Sequence, residues 1–287
     1  MYLHRQTGLI ESVSTFFNYW FNKERFIKSI NFSQLCVFIH QGDQKLQCEK
    51  IKDKNILAFN SNQKRFHIQL RRRTSDFFIF NQIFIRKDYF NLIEKIKESI
   101  NFDEVRFILD AGANIGASAI YFHSFFPNAK VICIEPESSN FSLLKTNILL
   151  NNVENIVKPF QMALWNKNEM LSLKNDFRDR SHHSFNVSSD LNESLIKIEG
   201  NTVKYFMDIN DVKIIDLLKI DIEGAEKYIF EDFNYLSSFL PITRFIAIEI
   251  HEEIVEKKAI LEILDNFGFE CLESGEYYIG KNKKMIL

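Results

Sequence analysis

The sequence predicts an α/β protein with a mostly parallel sheet and helices on both of its faces. From residue 105 onward, short apolar runs alternate with segments of helical spacing, and two strand-like runs close the chain. Strand–helix alternation is typical of parallel sheets, because each crossover helix covers one face. The chain has 287 residues, of which 46% are hydrophobic, so it can bury a large core in one or two domains.

The alternating region contains five predicted strands and four predicted helices. The strands lie within 105–112, 130–136, 155–164, 214–224 and 244–251, and the helices within 115–126, 138–152, 225–233 and 252–269. Ser138 or Ser139 is the expected N-cap of the second helix, and Gly268 is expected to close the last one. The runs 269–274 and 277–281 then predict a hairpin, which places one antiparallel strand at the edge of the sheet.

The chain before this region carries a different pattern. Residues 1–100 mix strand-like and helical runs, and they predict an α+β extension or cap beside a main domain over 101–287. The last part of this extension predicts one or two helices, capped at Thr74 or Ser75. We expect the extension to cover one side of the main domain or to form an oligomer contact.

An insertion over residues 165–207 interrupts the alternation between the third and fourth strands. A polar loop there separates two strand-like pieces, 170–174 and 202–209. Long polar loops beside a sheet often carry substrate contacts. We therefore expect this insertion to be a substrate loop.

Composition and charge exclude several classes of protein. The net charge is -2, so no basic surplus indicates nucleic acid as a partner. The four cysteines have no metal-like or redox spacing, and Cys133 lies in an apolar run that predicts a buried side chain. No run of 18 apolar residues occurs, and the N-terminus does not resemble a signal peptide. We expect a cytoplasmic protein without a membrane span.

A glycine loop, LDAGANIGAS over residues 109–118, follows the first predicted strand. The dinucleotide fingerprint needs glycine at its first, third and sixth positions, and here only Gly112 fits. Asn114 and Ala117 occupy the other two positions. The loop therefore lacks the glycine that lets backbone approach a pyrophosphate, which counts against a dinucleotide oxidoreductase.

Carboxylates and one imidazole follow the predicted strand ends. Asp110, Glu135, Asp221 with Glu223, and Glu249 with His251 all stand at such ends, which share one edge in a parallel sheet. A carboxylate after the second strand can accept hydrogen bonds from both ribose hydroxyls of NAD or of S-adenosylmethionine. The acidic edge suits a cationic sulfonium and disfavours a pyrophosphate, so we interpret the nucleotide as S-adenosylmethionine.

Four stretches carry a resemblance to a known family: FILDAGANIGASAIYF, VICIEPESSNFSLLKTNILLN, IIDLLKIDIEGAEKYIF and FIAIEIHEE. They resemble the FkbM family of S-adenosylmethionine-dependent methyltransferases, in motif order and in spacing. The resemblance implies a class I methyltransferase fold with a seven-stranded sheet. It also implies methyl transfer to a hydroxyl oxygen of a saccharide, a glycan or a secondary metabolite. The cofactor site is then expected at Asp110, Gly112, Ala113, Asn114, Gly116, Glu135, Pro136, Met162, Ala163 and Asp221.

An acceptor hydroxyl must also lose its proton, so a base near the acceptor is expected. Asp221 and His251 are the candidates, with Glu249 beside them. The same three side chains could instead hold a divalent metal ion that acidifies the hydroxyl, although no short ligand spacing supports this. Glu226 is expected to be a solvated helix residue.

The expected acceptor contacts are Glu223 and the insertion loop from Asp176 to Asn186, which includes His182 and His183. Two other classes remain as alternatives. One is a nucleic-acid methyltransferase, disfavoured by the charge balance and by DIEG in place of an NPPY-like loop. The other is a non-catalytic scaffold, disfavoured by the complete cofactor motifs.

Overall fold

A computed structural model of the protein describes residues 47–51, 54–71, 74–175, 185–190, 196–252 and 254–286. The chain forms two compact units. The first contains Met1–Lys87 with Phe177–Ser184, and the second contains Asp88–Asp176 with Phe185–Leu287. The expected assignment of residues 1–100 to an extension and of 101–287 to a main domain stays a prediction.

The described residues of the first unit form a small sheet and a helix. Its antiparallel strands are β1 (Gln47–Ile51), β2 (Lys54–Ser61) and β3 (Lys64–Gln69), and its helix α1 (Asp76–Phe80) continues as a π-helical turn over Asn81–Ile85. Phe59 lies at the centre of the core, with its ring centroid 4.4 Å from that of Phe84 and 5.2 Å from that of Phe80. Ser75 is the N-cap residue of α1 but makes no side-chain cap, whereas the Thr74 hydroxyl accepts the Asp76 N–H.

The second unit contains the remaining strands and helices. In chain order the strands are β4 (Phe107–Ala111), β5 (Lys130–Ile134), β6 (Val157–Phe160), β7 (Ala163–Leu164), β8 (Glu169–Asn175), β9 (Phe185–Ser188), β10 (Lys197–Asn201), β11 (Ile215–Ile220), β12 (Thr243–Glu249), β13 (Phe269–Ser274) and β14 (Tyr277–Asn282). The helices are α2 (Phe90–Ser99), α3 (Ala117–Phe125), α4 (Ser138–Leu150), α5 (Val203–Asp208), α6 (Glu226–Phe230), α7 (Phe233–Ser237) and α8 (Lys257–Phe267), with 3₁₀ turns at Phe102–Glu104 and Leu240–Ile242.

Seven strands form the central sheet, in the order β13-β14-β12-β11-β4-β5-β6. The strands β6, β5, β4, β11 and β12 are parallel, and β14 is antiparallel to both of its neighbours. This arrangement confirms the α/β fold with a mostly parallel, class I methyltransferase sheet. The antiparallel strand is not the edge strand, however, because β14 inserts between β12 and β13.

The N-cap of α4 differs from the expected residue, whereas the C-terminal end of α8 matches the prediction. The side chain of Glu137, not Ser138 or Ser139, caps α4 by accepting the Asn140 N–H at 2.7 Å. A carboxylate is a good acceptor at this end, where the helix dipole is positive. Gly268 closes α8 in a left-handed conformation with φ 101°, as predicted.

The described residues of the insertion contribute β8, β9 and β10 to a second sheet, which β7 completes in the order β7-β10-β8-β9. The piece 170–174 lies in strand β8, as expected, but the piece 202–209 forms helix α5 instead of a strand. The Thr202 hydroxyl accepts the Tyr205 N–H at 3.1 Å, and this cap begins the helix. The third predicted strand is also shorter, because the central sheet contains it only to Phe160.

Apolar side chains fill both faces of the central sheet. All residues of β4 and β11 are buried, and Cys133 on β5 is fully buried, as predicted. Three of these buried residues are charged: Asp110 on β4, and Asp216 and Lys219 on β11, the last with 2% exposure. Within the described part of the chain, no helix has the length and apolar character needed to cross a membrane.

Candidate active site

The polar residues expected at the strand ends meet at one edge of the central sheet. Strands β4, β5, β11 and β12 run parallel, so their carboxyl ends face the same edge. The glycine loop follows β4, Glu135 follows β5, Asp221 follows β11, and Glu249 ends β12. The loop and these three carboxylates define the candidate site, which lies within the second unit.

Close backbone approaches explain the glycines of the loop. Gly112 has φ +78°, and a Cβ atom there would lie 1.7 Å from the carbonyl oxygen of Asp221. The N–H groups of Gly112 and Ala113 donate to the Ile134 carbonyl at 2.9 and 3.0 Å. Gly116 has φ +86°, and its Cβ would lie 2.6 Å from a methyl carbon of Leu144. The loop is thus held against β5 and the end of β11. No side chain fits at Gly112, and at Gly116 a side chain would be strained by the positive φ and would have to displace the end of Leu144.

Glu135 is a buried carboxylate that the protein already holds in place. It is 5% exposed and accepts the Asn114 N–H at 2.8 Å and the Glu137 N–H at 3.0 Å, with the Asn140 amide at 3.4 Å. Burial raises the pKa of Glu135 to about 7, although these hydrogen bonds favour its ionised form. A carboxylate oxygen has two lone pairs; among the described residues Oε2 accepts one donor and retains capacity for another, whereas Oε1 already accepts two.

The other residues expected at the cofactor site also stand at strand ends. Asn114 adopts φ 48°, and its Oδ1 is buried without a hydrogen-bond partner among the described residues. Pro136 follows β5 and is partly exposed. Met162 follows β6, and its sulfur accepts a side-chain amide hydrogen bond of 3.3 Å. Ala163, at the start of β7, is buried.

A buried lysine on β11 contacts β4 and the glycine loop that follows it. Lys219 Nζ donates to the Gly112 carbonyl at 2.6 Å, and it lies 3.2 Å from Asp221 Oδ2 and 3.4 Å from Asp110 Oδ1. Burial alone would lower the pKa of Lys219, but the two aspartates outweigh burial and raise it. Asp110 is itself fully buried, and its Oδ2 accepts the Ser118 hydroxyl at 2.6 Å. Asp110 therefore orients the loop and helix α3 from inside the protein.

Asp221 is held through one of its two oxygens. Its Oδ2 faces Lys219 and also accepts the Tyr277 hydroxyl at 3.1 Å. Burial acts to raise the pKa of Asp221, but Lys219 and then His251 outweigh it, so the pKa lies below the usual range. Asp221 is thus ionised at neutral pH. Tyr277 reaches the site because β14 is antiparallel and begins where the parallel strands end.

Carboxylates surround His251 on both sides of its ring. Its Nδ1 donates to Glu226 Oε1 at 3.1 Å, and its Nε2 lies 3.5 Å from Glu223 Oε2 and 3.9 Å from Glu249 Oε1. Burial acts to lower the pKa of His251, but the hydrogen bonds with Glu223 and Glu226 raise it to about 11. The ring is therefore an imidazolium at neutral pH in this arrangement.

The structure corrects the expectation for Glu226. It is fully buried, not solvated, and it accepts the Ile222 N–H as well as the His251 ring N–H. Its second oxygen, Oε2, is buried without a hydrogen-bond partner among the described residues. Glu226 therefore fixes the orientation of the imidazole from the first turn of α6.

The three expected metal-ligand candidates do come together. Asp221, Glu249 and His251 each offer one ligand atom, and these atoms lie within 4.8 Å of one another. Burial, and then Asp221, raise the pKa of Glu249 to about 9. His182, His183 and most of the loop from Asp176 to Asn186 lie outside the described residues, so their expected acceptor contact stays a prediction.

Reasoning from sequence missed three residues of this site: Lys219, Tyr277 and Glu226. A lysine inside the apolar run IIDLLKI was the available signal for Lys219, because an unpaired ammonium is not buried in a sheet. Tyr277 and Glu226 left no comparable signal. Their roles depend on contacts with residues 56 and 25 positions away.

Fold and site together define a class of protein: a class I methyltransferase fold with a glycine loop, a buried carboxylate after β5 and an acidic edge. The chain belongs to the FkbM methyltransferase domain family, which it matches over residues 110–271. This result confirms the resemblance seen in the four sequence stretches.

Two similar proteins are both named methyltransferases. The chain is 27% identical over 163 residues to Methyltransferase 1 of Beauveria bassiana (strain ARSEF 2860), covering 50% of this chain and 64% of that protein. It thus spans less than two thirds of that relative's length. It is 24% identical over 221 residues to Methyltransferase sdnD of Sordaria araneosa, covering 67% of this chain and 82% of that protein.

Solved structures of methyltransferases are also similar to the chain. The human methyltransferase 10 domain containing protein has a TM-score of 0.44 at 11% identity, covering 91% of this chain and 97% of the other. The N-terminal domain of human METTL16 in complex with SAH has a TM-score of 0.41 at 10% identity, covering 91% and 82%.

Proposed function

We propose that the protein is an S-adenosylmethionine-dependent methyltransferase that methylates a hydroxyl oxygen. The observation that carries this proposal is Glu135, a buried carboxylate at the end of β5, held 2.8 Å from the N–H of Asn114 in the glycine loop. This arrangement supports the proposal, because a carboxylate that could accept ribose hydroxyls lies beside a closely approaching backbone. Membership of a methyltransferase family supports the same reaction class.

The residues present fit this cofactor. Glu135 would accept the ribose hydroxyls, and the loop 112–116 would contact the methionine part. Asn114 Oδ1, a buried acceptor without a hydrogen-bond partner among the described residues, would receive a donor from the ligand. When bound, the cofactor supplies an electrophilic methyl group on a sulfonium.

The charge of the edge favours a cationic ligand. Four carboxyl groups, Asp221, Glu223, Glu226 and Glu249, surround His251, and Lys219 faces Asp110 and Asp221. Glu249 is protonated at neutral pH because its pKa is about 9, so the negative charge comes from the other carboxyl groups. Negative charge therefore exceeds positive charge where the acceptor and the methyl group would meet. The same excess would repel a pyrophosphate, which supports a sulfonium cofactor over NAD.

We assign the contact with the acceptor hydroxyl to Asp221. Its pKa is lowered, so it is ionised and can accept a hydrogen bond from the hydroxyl, and then the proton that the hydroxyl loses as its oxygen takes the methyl group. His251, whose pKa is about 11, is protonated at neutral pH and cannot accept the proton in this arrangement. His251 would instead hold Glu223 and Glu249 at the acceptor. Alignment of the acceptor supplies most of the catalysis, because displacement at a methyl group needs little covalent help.

A metal-assisted version is the second candidate. The three ligand atoms of Asp221, Glu249 and His251 lie close together, and the bond from Nδ1 to Glu226 leaves Nε2 as the ligand atom. Histidines that bind metals commonly donate their other ring nitrogen to a carboxylate in this way. A divalent ion there would lower the pKa of the acceptor hydroxyl.

The acceptor class is proposed on family resemblance: a hydroxyl of a saccharide, a glycan or a secondary metabolite. The loop from Asp176 to Asn186 is proposed to contact it, and residues 1–100 are proposed to cover the acceptor side or form an oligomer contact. The cytoplasmic location stays a prediction. A nucleic-acid methyltransferase and a non-catalytic scaffold remain less favoured, the first because the net charge is -2.

Isothermal titration calorimetry with S-adenosylmethionine, S-adenosylhomocysteine and NAD tests the cofactor assignment. We expect binding of the first two and none of NAD. Binding of NAD without a response to the other two would refute the proposal. Methyl transfer from labelled S-adenosylmethionine to a saccharide panel, with and without a chelator, then separates the two versions. Activity that a chelator abolishes and Mg²⁺ or Mn²⁺ restores supports the metal, and activity that it leaves intact supports Asp221 alone.

A further inference from the structure

Lys219 is a buried, charged side chain in strand β11. All six residues of β11 are buried, and Lys219 is 2% exposed. Transfer of an ammonium into the protein interior costs several kcal/mol unless good hydrogen bonds and opposite charges compensate it. The proposed function uses Lys219 in no step, so its presence needs a separate explanation.

The three contacts of Lys219 connect two parts of the site. Its shortest contact, 2.6 Å, is with the carbonyl of Gly112 in the glycine loop. The next, 3.2 Å, is with Asp221 Oδ2, and the longest, 3.4 Å, is with Asp110 Oδ1. The contact with Gly112 is a hydrogen bond, whereas the contacts with the two aspartates are ion pairs, and Asp110 Oδ1 has no hydrogen-bond partner among the described residues. One side chain therefore contacts both the cofactor loop and the acceptor carboxylate.

The geometry also determines which oxygen of Asp221 remains available. Lys219 and the Tyr277 hydroxyl, at 3.1 Å, both contact Oδ2. Among the described residues, Oδ1 makes no hydrogen bond. Asp221 is 21% exposed at its side chain, so the oxygen left available can meet a ligand at the edge of the sheet.

We propose that Lys219 is a positioning residue. It fixes the glycine loop and Asp221 relative to each other, so that the bound cofactor and the acceptor are aligned for methyl transfer. This inference rests on the proposed function. Simple neutralisation of Asp110 is the competing explanation. It accounts less well for the distances, because the shortest contact of Lys219 is to an uncharged carbonyl and the longest is to Asp110.

The test uses Lys219→Met, which preserves chain length and apolar bulk but removes the ammonium. Arg244→Met is the matched control. Arg244 Nη1 pairs with the buried Asp216 at 2.9 Å, at the amino-terminal end of the same strand β11. Both variants break an ion pair to a buried carboxylate, that of Asp110 on β4 or that of Asp216 on β11, but only Lys219 touches the site. Thermal unfolding establishes how much each variant loses in stability.

The binding probe is S-adenosylhomocysteine, measured by calorimetry. We expect Lys219→Met to raise its Kd by about tenfold or more, since the loop loses its fixed position, and Arg244→Met to leave the Kd within about twofold. Amide hydrogen exchange gives a second readout. The Gly112 and Ala113 N–H groups, which bond to Ile134, should exchange faster in Lys219→Met and unchanged in Arg244→Met.

A charge-matched double variant separates positioning from neutralisation and guards against misfolding. In the wild type, Lys219, Asp110 and Asp221 together carry a net charge of -1, from two carboxylates and one ammonium. The double variant Lys219→Met/Asp110→Asn keeps that net charge, because only the Asp221 carboxylate remains. If Lys219 positions the loop, Lys219→Met/Asp110→Asn recovers stability but keeps the weakened Kd relative to Asp110→Asn alone. Recovery of the Kd to that of Asp110→Asn overturns the proposal.

The same variants test the proposed function and the role of Lys219 separately. Wild-type protein that does not bind S-adenosylhomocysteine refutes the proposed function. Wild-type protein that binds it, together with a Lys219→Met variant that binds equally well and protects the loop amides equally well, refutes only the role of Lys219.

Discussion

Cofactor affinity should depend on pH through Glu135. Burial raises the pKa of this carboxyl to about 7, and a ribose hydroxyl donates better to the ionised form than to the protonated form. Ligand binding therefore favours ionised Glu135, and affinity should increase as pH rises through about 7. The sign follows from linkage, since the bound state holds fewer protons than the free state.

The magnitude follows from that pKa. If only ionised Glu135 binds, the apparent Kd is the intrinsic value multiplied by one plus the ratio of protonated to ionised carboxyl. That factor is about 11 at pH 6 and about 1.1 at pH 8, so the Kd should fall about tenfold between them.

Calorimetric titration with S-adenosylhomocysteine at pH 6, 7 and 8 measures this dependence. Glu135→Gln is the matched variant, because it retains the size of the side chain and has no carboxyl to titrate. Its amide must also place a donor toward the N–H of Asn114 or Glu137, so we expect affinity to fall by about 100-fold at pH 8. Equal pH slopes in wild type and Glu135→Gln would refute the role of Glu135.

Three further predictions concern the rest of the site. Gly112→Ala should destabilise the fold by about 3 kcal/mol or more in chemical denaturation, because its Cβ would lie 1.7 Å from a carbonyl oxygen at φ +78°; wild-type stability would contradict the close approach. In Glu226→Gln, His251 should titrate by NMR at lower pH than about 11, because a hydrogen-bonded carboxylate is lost. An unchanged titration of His251 in Glu226→Gln would count against the assigned contact. Because the pKa of His251 is raised in the folded protein, the charged ring stabilises the fold fully below about pH 6.5, and this stabilisation is lost as pH rises toward about 11. If the metal-assisted version holds, wild-type protein should bind Mn²⁺ in calorimetry and His251→Ala should not; binding in neither would remove this version.

Strand ends were predictable from sequence because parallel strands in a strand–helix alternation share one direction. Glu135, Asp221 and Glu249 could therefore be assigned to one edge of the sheet from the pattern alone. The glycine loop was predictable for a similar reason, although its closest approach is to the backbone of Asp221, 109 residues further along the chain. The sequence shows that such a position needs glycine but does not show which backbone lies beside it.

Other features depend on tertiary contacts that a linear pattern does not contain. The sequence around Glu226 predicts an exposed helix residue, and only the contact with His251 explains its burial. Lys219 has no explanation in the linear pattern, because its partner Asp110 lies on the neighbouring strand. The piece 202–209 was wrongly expected to be a strand. Its Val, Tyr and Phe residues favour strands, but the Thr202 cap begins a helix there. Short apolar runs are ambiguous between the two structures.

The central claim is that Glu135 and the loop 112–116 form the binding site of an S-adenosylmethionine-type cofactor. A crystal structure of the protein with S-adenosylhomocysteine tests it most directly. We expect both ribose hydroxyls within about 3 Å of the Glu135 carboxylate and the methionine part against Gly112 and Asn114. A ligand bound elsewhere, or a ribose without contact to Glu135, would contradict it.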